Sequence, residues 1–455
     1  MNVKHILPLS FLLALTACGG YLDVQPQGLV LPKTDEEFTA ILHNRIRDIE
    51  GGGDEYVIGN RETLLRLEGI ADNLDANIKT GRLVAYVGET INSMQLQYAY
   101  YWEIVRDCNI VIANLKDRET EAARKALATA YAMKGILYFQ MMREYCEPWQ
   151  DGLAQQQLGL PIVEAFEIEA RPVRSNLKQT ADYALAQLNS SLSLGLQDPL
   201  YFFTEWVVKA YKAKLLFWTG QWAEAAAVCR DILDNSGYSL TEAADYAAVI
   251  NADGAPKGEV IVRSHINNAS ELDWYFNAIK SYFASRPVSR ALYDLYEEGD
   301  VRAAASFDSK RLNIKNTECK VRLSEMVLML AECNAHLGQD EAALEQLNLL
   351  RSKRIVPAPA PLTMATLPPV REGNRIKVDA RGNALTPLTQ AILDERQKEF
   401  FMEGERWFDL KRCGRPEWLV ISNGLKYTTQ TYLYTAPIYK NDVLLNDEMK
   451  QNTGY

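Results

Sequence analysis

Two glutamates four residues apart, Glu399 and Glu403, are the strongest candidates for carboxylate chemistry in this 455-residue chain. They lie within residues 388–414, LTQAILDERQKEFFMEGERWFDLKRCG, flanked by Arg396 and Arg406. A carboxylate pair can serve a glycoside hydrolase as general acid and base. The arginines argue otherwise, because a carboxylate held by arginine stays ionised and makes a poor general acid. Helical spacing allows Arg396–Glu399 and Glu403–Arg406 pairs on adjacent turns. Glutamates four apart on a helix also lie side by side, with no clear space for a sugar ring between them. A neutralised structural network is the first reading and a carboxylate-dependent glycoside hydrolase the alternative.

Other chemistry is sparse. Of four histidines, His43, His265 and His336 stand alone, which makes a histidine metal or relay site improbable. No GxSxG, P-loop or dinucleotide fingerprint occurs. Asn73, Asp75 and Asn77 imitate the start of a calcium loop, but Ile78 replaces the required glycine and Val84 the terminal glutamate. No cofactor or metal is expected. What remains is binding by exposed aromatic platforms beside planar polar groups. Asp72, Asn73, Asp75, Arg82 and Tyr86 form one such patch, and Trp274, Tyr275, Tyr282 and Phe283 another.

The elements that must position these residues are helices. Over 388–414, Ile392, Leu393, Phe400, Trp407 and Leu410 share one helical face, widened by Phe401 and Phe408. Gly404 sits where a neighbouring backbone could approach closely. Arg396 and Glu403 point into this apolar stripe, so the helix is expected to lock into a core through satisfied ions. Upstream, 35–49 reads as a helix with Thr34 as N-cap and Glu37 at capping-box spacing. Helices are also expected at 95–115, 119–145, 177–195 and 204–219. Two segments share a helix-turn-helix spacing: Ala213, Gly220, Ala225 and Ala331, Gly338, Ala343. Small residues there let paired helices pack closely, the tetratricopeptide logic. Residues 236–316 break this pattern, and 355–387, rich in Pro and Gly, read as an irregular excursion.

The net charge of −10 disfavours nucleic acid as a partner. Residues 1–17 read as a targeting leader, and no later segment approaches the roughly 20 apolar residues of a membrane span. Leu15-Thr16-Ala17-Cys18 resembles a bacterial lipobox, which implies cleavage before Cys18 and its lipidation. The remaining cysteines, 108, 146, 229, 319, 333 and 413, form no CxxC pair and read mostly as buried small hydrophobes.

The run ERQKEFFMEGERWFDLKRCG resembles the C-terminal signature of the SusD/RagB family of outer-membrane nutrient-binding lipoproteins. Tyr21 to Gly28 resembles that family's LDxxPxG entry, and Trp102 with Asn109 its W-x6-N helix. Gly159 to Val163, Asp300-Val301-Arg302 before a strand-like stretch, Thr435 to Ile438 and Leu445 to Tyr455 continue the likeness. Tyr145 to Trp149 departs from the family's glycine-containing turn. The resemblance implies one mainly α domain over 18–455, with tetratricopeptide-like scaffold at about 35–235 and 318–414 and an irregular, loop-rich ligand region between. It implies a non-enzymatic, lipid-anchored outer-membrane protein exposed at the cell surface. Such a protein would bind oligosaccharide and deliver it to a SusC-like TonB-dependent transporter. One group of relatives takes peptides, so a RagB-like peptide cargo stays open, as does a scaffold that binds only protein. Carried over by position, the ligand site lies where the two patches meet. Arg396, Glu399, Glu403, Gly404, Arg406 and Trp407 are expected to be structural.

Overall fold

The computed structural model describes residues 32–51, 56–59, 61–75, 91, 94–167, 169–252, 258–264, 286–316, 318, 320–422 and 425–455. The leader with Cys18, the LDxxPxG entry, Asn77, Ile78, Val84, His265 and Cys319 lie outside the described residues.

Helix α1 (Asp35–Gly51) starts at the expected capping box: the Glu37 N–H donates to Thr34 Oγ1 at 3.3 Å and the Thr34 N–H to Glu37 Oε2 at 3.1 Å. Helix α2 spans Arg61–Ile70. Two long helices follow, α3 (Gln95–Leu115) and α4 (Glu121–Tyr145), the second capped by Thr120. A short antiparallel pair, β1 (Leu158–Pro161) and β2 (Arg174–Asn176), leads into α5 (Leu177–Ser193). Helix α5 packs on α4 at Gly135, where a Cβ would stand 2.8 Å from Leu188. The close approach explains the glycine.

Both repeat signatures are realised. Helices α6 (Glu205–Trp218) and α7 (Trp222–Asn235) turn at Gly220, and α11 (Leu323–His336) and α12 (Asp340–Ser352) turn at Gly338. The two glycines have φ of 70° and 73°, and Ala213, Ala225, Ala331 and Ala343 are fully buried. Helix α11 packs across α7, which joins the two units into one scaffold. Between them run α8 (Tyr246–Ile250), β3 (Val260–Arg263), α9 (Arg290–Tyr293), α10 (Val301–Ser306) and β4 (Lys320–Arg322), with β3 antiparallel to β4. The fold is mainly helical, as expected.

Two expectations are corrected. Residues 388–414 form two helices, α13 (Pro387–Glu399) and α14 (Glu405–Arg412), rather than one. Met402 and Gly404 adopt left-handed φ of 62° and 78°, which cannot continue an α-helix. The freed Gly404 N–H donates to Glu68 Oε1 of α2 at 2.9 Å, and side chains, not backbone, press on the glycine. The stretch that follows Asp300 is a helix rather than the strand-like stretch expected after Asp300-Val301-Arg302, because Asp300 caps α10 by accepting the Arg302 N–H at 3.1 Å. Cys108, Cys146, Cys229, Cys333 and Cys413 are buried free thiols. The C-terminal region adds the hairpin β5 (Leu419–Ser422) and β6 (Leu425–Thr428), then α15 (Lys440–Leu445).

Candidate functional site

Glu399 is sealed in the core. Its carboxylate accepts from Arg322 Nη1 at 2.6 Å, Arg354 Nη2 at 3.0 Å and Arg302 Nη1 at 3.1 Å. Glu403 accepts from Lys315 Nζ at 2.6 Å and Arg322 Nη2 at 3.0 Å. Linked ion pairs join six cations, Arg302, Lys315, Arg322, Arg351, Arg354 and Lys398, to six carboxylates, Glu259, Glu297, Asp300, Glu395, Glu399 and Glu403. The charges cancel. Burial pushes the Glu399 carboxyl up, but Arg354, Arg322 and Arg302 overcome it and hold it well below the usual range. For Glu403, burial is likewise outweighed by Arg322, Lys315 and Lys320. Carboxylates kept ionised and away from solvent do not serve as acid and base in turn.

The expected pairs within 388–414 are replaced by longer-range ones. Arg396 binds Asp409 at 3.1 Å, and Arg406 clamps Asp72 at 2.7 and 2.9 Å. The reason is the break at 400–404: it re-aims α14, so charges one turn apart in sequence face different walls. Trp407 stacks on Tyr434 with centroids 4.4 Å apart.

The described residues of the first expected patch, Asp72, Asn73 and Asp75, sit at the foot of that clamp. Leu74 bridges Val288, the Asp75 N–H donates to Pro287 O at 2.8 Å, and the Ser289 N–H donates to Asn73 O at 2.8 Å. Arg286 donates to Gly69 O at 2.9 Å and Asp75 O at 3.2 Å. Residues 73–75 and 286–289 are thus stitched side by side. They are the chain ends flanking 76–90 and 265–285, which hold the other predicted ligand residues. Those residues, Arg82, Tyr86, Trp274, Tyr275, Tyr282 and Phe283, lie outside the described residues.

Beside this seam opens a cleft of about 550 Å³ lined by Asp72, Asp75, Arg290, Asp294, Arg371, Asn374, Arg375 and Asp394, among others. Its arginines already hold carboxylates. Asp72 is shared by Arg406 and, at 3.1 Å, Arg375; Asp394 is gripped by both terminal nitrogens of Arg371 at 2.6 Å; Arg290 approaches Asp294 at 3.8 Å. Burial pushes the Asp72 carboxyl up, but Arg406 and Arg375 hold it below the usual range. Asn73 faces inward, donating to Glu68 Oε2 at 3.1 Å and accepting from Gln397 at 3.1 Å, so it braces the seam. Asp75 pairs with Arg311 at 3.1 Å. Behind the seam, Glu68 is fully buried with no ion pair among the described residues, and burial raises its carboxyl to about 7. Sequence reasoning missed Arg371, Asn374 and Arg375. Their signal was a cluster of planar polar side chains inside the Pro- and Gly-rich excursion, where the chain can wrap a site.

Residues 299–455 match the family model described as the SusD family. A SusD-like protein, P38, from Formosa agariphila is 31% identical over 135 residues, 30% of this chain and 24% of that protein's length. This chain therefore aligns with about a quarter of that curated relative. A SusD superfamily structure from Bacteroides thetaiotaomicron superposes with a TM-score of 0.73 at 18% identity, covering 92% of this chain and 100% of the other. A structure from Bacteroides vulgatus, named a putative sugar binding protein, gives 0.70 at 21% identity over 94% and 100%. A laminarin binding SusD-like protein gives 0.62 at 17% identity over 92% and 99%. Residues 299–455 are thus similar to the SusD family, and the chain shares the fold of these solved structures over more than nine-tenths of its length.

Proposed function

We propose that this protein binds oligosaccharide in the cleft at the seam, with 76–90 and 265–285 completing the site, and passes it to a SusC-like TonB-dependent transporter. The observation that carries this reading is the backbone ladder joining 73–75 to 286–289, since these are the described chain ends next to the two segments that hold the expected ligand residues. Charge supports a neutral ligand. Asp72, Asp75, Asp294 and Asp394 balance Arg290, Arg371, Arg375 and Arg406 in the cleft wall, so an anion would have to break existing pairs. The two flanking segments add three cations and three carboxylates in sequence, and no net charge. A neutral glycan offers hydroxyls to such planar polar groups and ring faces to the aromatics of 265–285. The laminarin binding neighbour, of the same fold, agrees with this choice.

Lipidation at Cys18 would anchor the protein at the outer membrane with its body outside the bilayer. Among the described residues no helix is long and apolar enough to cross a membrane. Calorimetric titration of the protein with neutral glycans, uronate-containing glycans and peptides tests the proposal. Heat with neutral glycans that weakens in an Arg290→Ala/Asp294→Ala variant is the expected result. Flat isotherms for every glycan, or heat with peptides alone, would overturn it.

A further inference from the structure

A second groove, of about 850 Å³, shares no lining residue with the cleft at the seam. Its floor is Trp102 of α3, held edge-on between Tyr98 and Tyr138 with centroids 5.8 Å from each. Phe166, 55% exposed, stands on its wall, and Asp442 of α15 closes one end. Asn109 lies seven residues after Trp102, two helical turns on and so on the same face.

The polar groups in this groove are incompletely satisfied. The Asn109 amide nitrogen donates to Val163 O at 3.1 Å, which pins the segment after β1. Its Oδ1 has no partner among the described residues, although the residue is 1% exposed. Buried acceptors are ordinarily satisfied, and one left over in a groove wall needs a donor. Asp442 is half-buried; its carboxylate has no ion pair or hydrogen bond among the described residues, and burial alone raises its carboxyl. Two acceptors therefore await donors beside two aromatic rings. Arg106 and Arg171 also line the groove, Arg106 already paired with Asp107 at 2.8 Å.

We infer that this groove is a second saccharide-binding site, in which a pyranose ring lies against Trp102 and Phe166 while its hydroxyls donate to Asn109 and Asp442. A ring with an apolar face and a rim of hydroxyl donors satisfies both features at once, whereas an aliphatic ligand would leave the two acceptors unpaired. A site separate from the cleft would let one chain hold a long glycan at two points, raising its hold through effective concentration. The inference stands on its own residues and does not depend on where the first ligand binds.

The test uses the full mature chain and laminarihexaose, cellohexaose and maltohexaose as separate probes. Phe166→Ala/Asp442→Ala alters exposed or half-exposed side chains, and unchanged thermal unfolding verifies its fold. With at least one probe, two binding events are expected, one of which weakens by about tenfold or more in this variant, as for loss of a hydrogen bond to a charged group. The other event should persist, and it alone should weaken in Arg290→Ala/Asp294→Ala. The indole N–H signal of Trp102, assigned by its loss in Trp102→Phe, should shift with the glycan in the Arg290→Ala/Asp294→Ala background. Isotherms unchanged by Phe166→Ala/Asp442→Ala for all three probes, or no Trp102 shift with any of them, would each overturn the inference.

Discussion

Replacing Glu399 by glutamine keeps the shape of the side chain and removes one charge from a buried network that is otherwise balanced six to six. Three guanidinium groups, those of Arg302, Arg322 and Arg354, then face a neutral amide that can accept at one oxygen instead of two. A pair at 2.6 Å in an effective dielectric of about 20 has a gross attraction of about 6 kcal/mol. Desolvation of both ions offsets much of that in the intact protein. In the variant the arginines stay desolvated while the compensation falls, and breaking a buried pair in this way costs about 3–5 kcal/mol. Glu259, Asp300 and Glu403 still hold these arginines, which favours the lower end. Urea unfolding followed by circular dichroism should therefore show a midpoint lowered with little change in slope. The effect must also depend on pH. Because the folded-state carboxyl lies below its ordinary value of 4.5, its contribution is present above that pH and is lost as pH falls towards the folded-state value. The gap between wild type and Glu399→Gln should thus narrow in acid. A loss under about 1 kcal/mol at neutral pH would refute the claim that this network holds the core, since it would match an exposed pair. A stable variant that had lost hydrolysis of a glycan would restore the enzymatic reading.

Two further substitutions probe the break between α13 and α14. Gly404→Ala forces a side chain into φ of 78° and places its Cβ 2.9 Å from Leu64 Cδ1, so a loss of about 1–3 kcal/mol should appear in the same unfolding assay. An unchanged midpoint would mean that the turn relaxes freely. Glu68 has the opposite linkage from Glu399: its folded-state carboxyl is raised to about 7 from 4.5, so ionisation weakens the fold as pH rises through that interval. Glu68→Gln should therefore gain melting temperature relative to wild type between pH 5 and pH 8, by an amount equivalent to at most about 3 kcal/mol. A difference constant across that range would show that Glu68 keeps one protonation state.

Much of the scaffold was legible because its determinants are local. Thr34 and Glu37 lie three residues apart and make the capping box with each other, and Gly220 and Gly338 mark turns through spacing alone. The misreadings share one cause. In 388–414 the helical period runs on through 400–404, and nothing within that window reveals that Glu68, more than three hundred residues earlier, takes the Gly404 N–H. Likewise Asp300 and Arg302 carry no local mark separating a helix cap from the start of a strand. Arg371 and Arg375 were passed over because a Pro- and Gly-rich segment has no period to read.

The sequence by itself determined the helical repeats, the burial of the charged row around Glu399 and Glu403, and the family signature of residues 299–455, since each depends on residue type and short spacing. Tertiary structure alone decided which cation meets which carboxylate. It also decided that Asn73 turns inward, and that 73–75 lies against 286–289. Long side chains can choose among many counter-ions of equal charge, and only packing of elements distant in the chain brings one within hydrogen-bond reach.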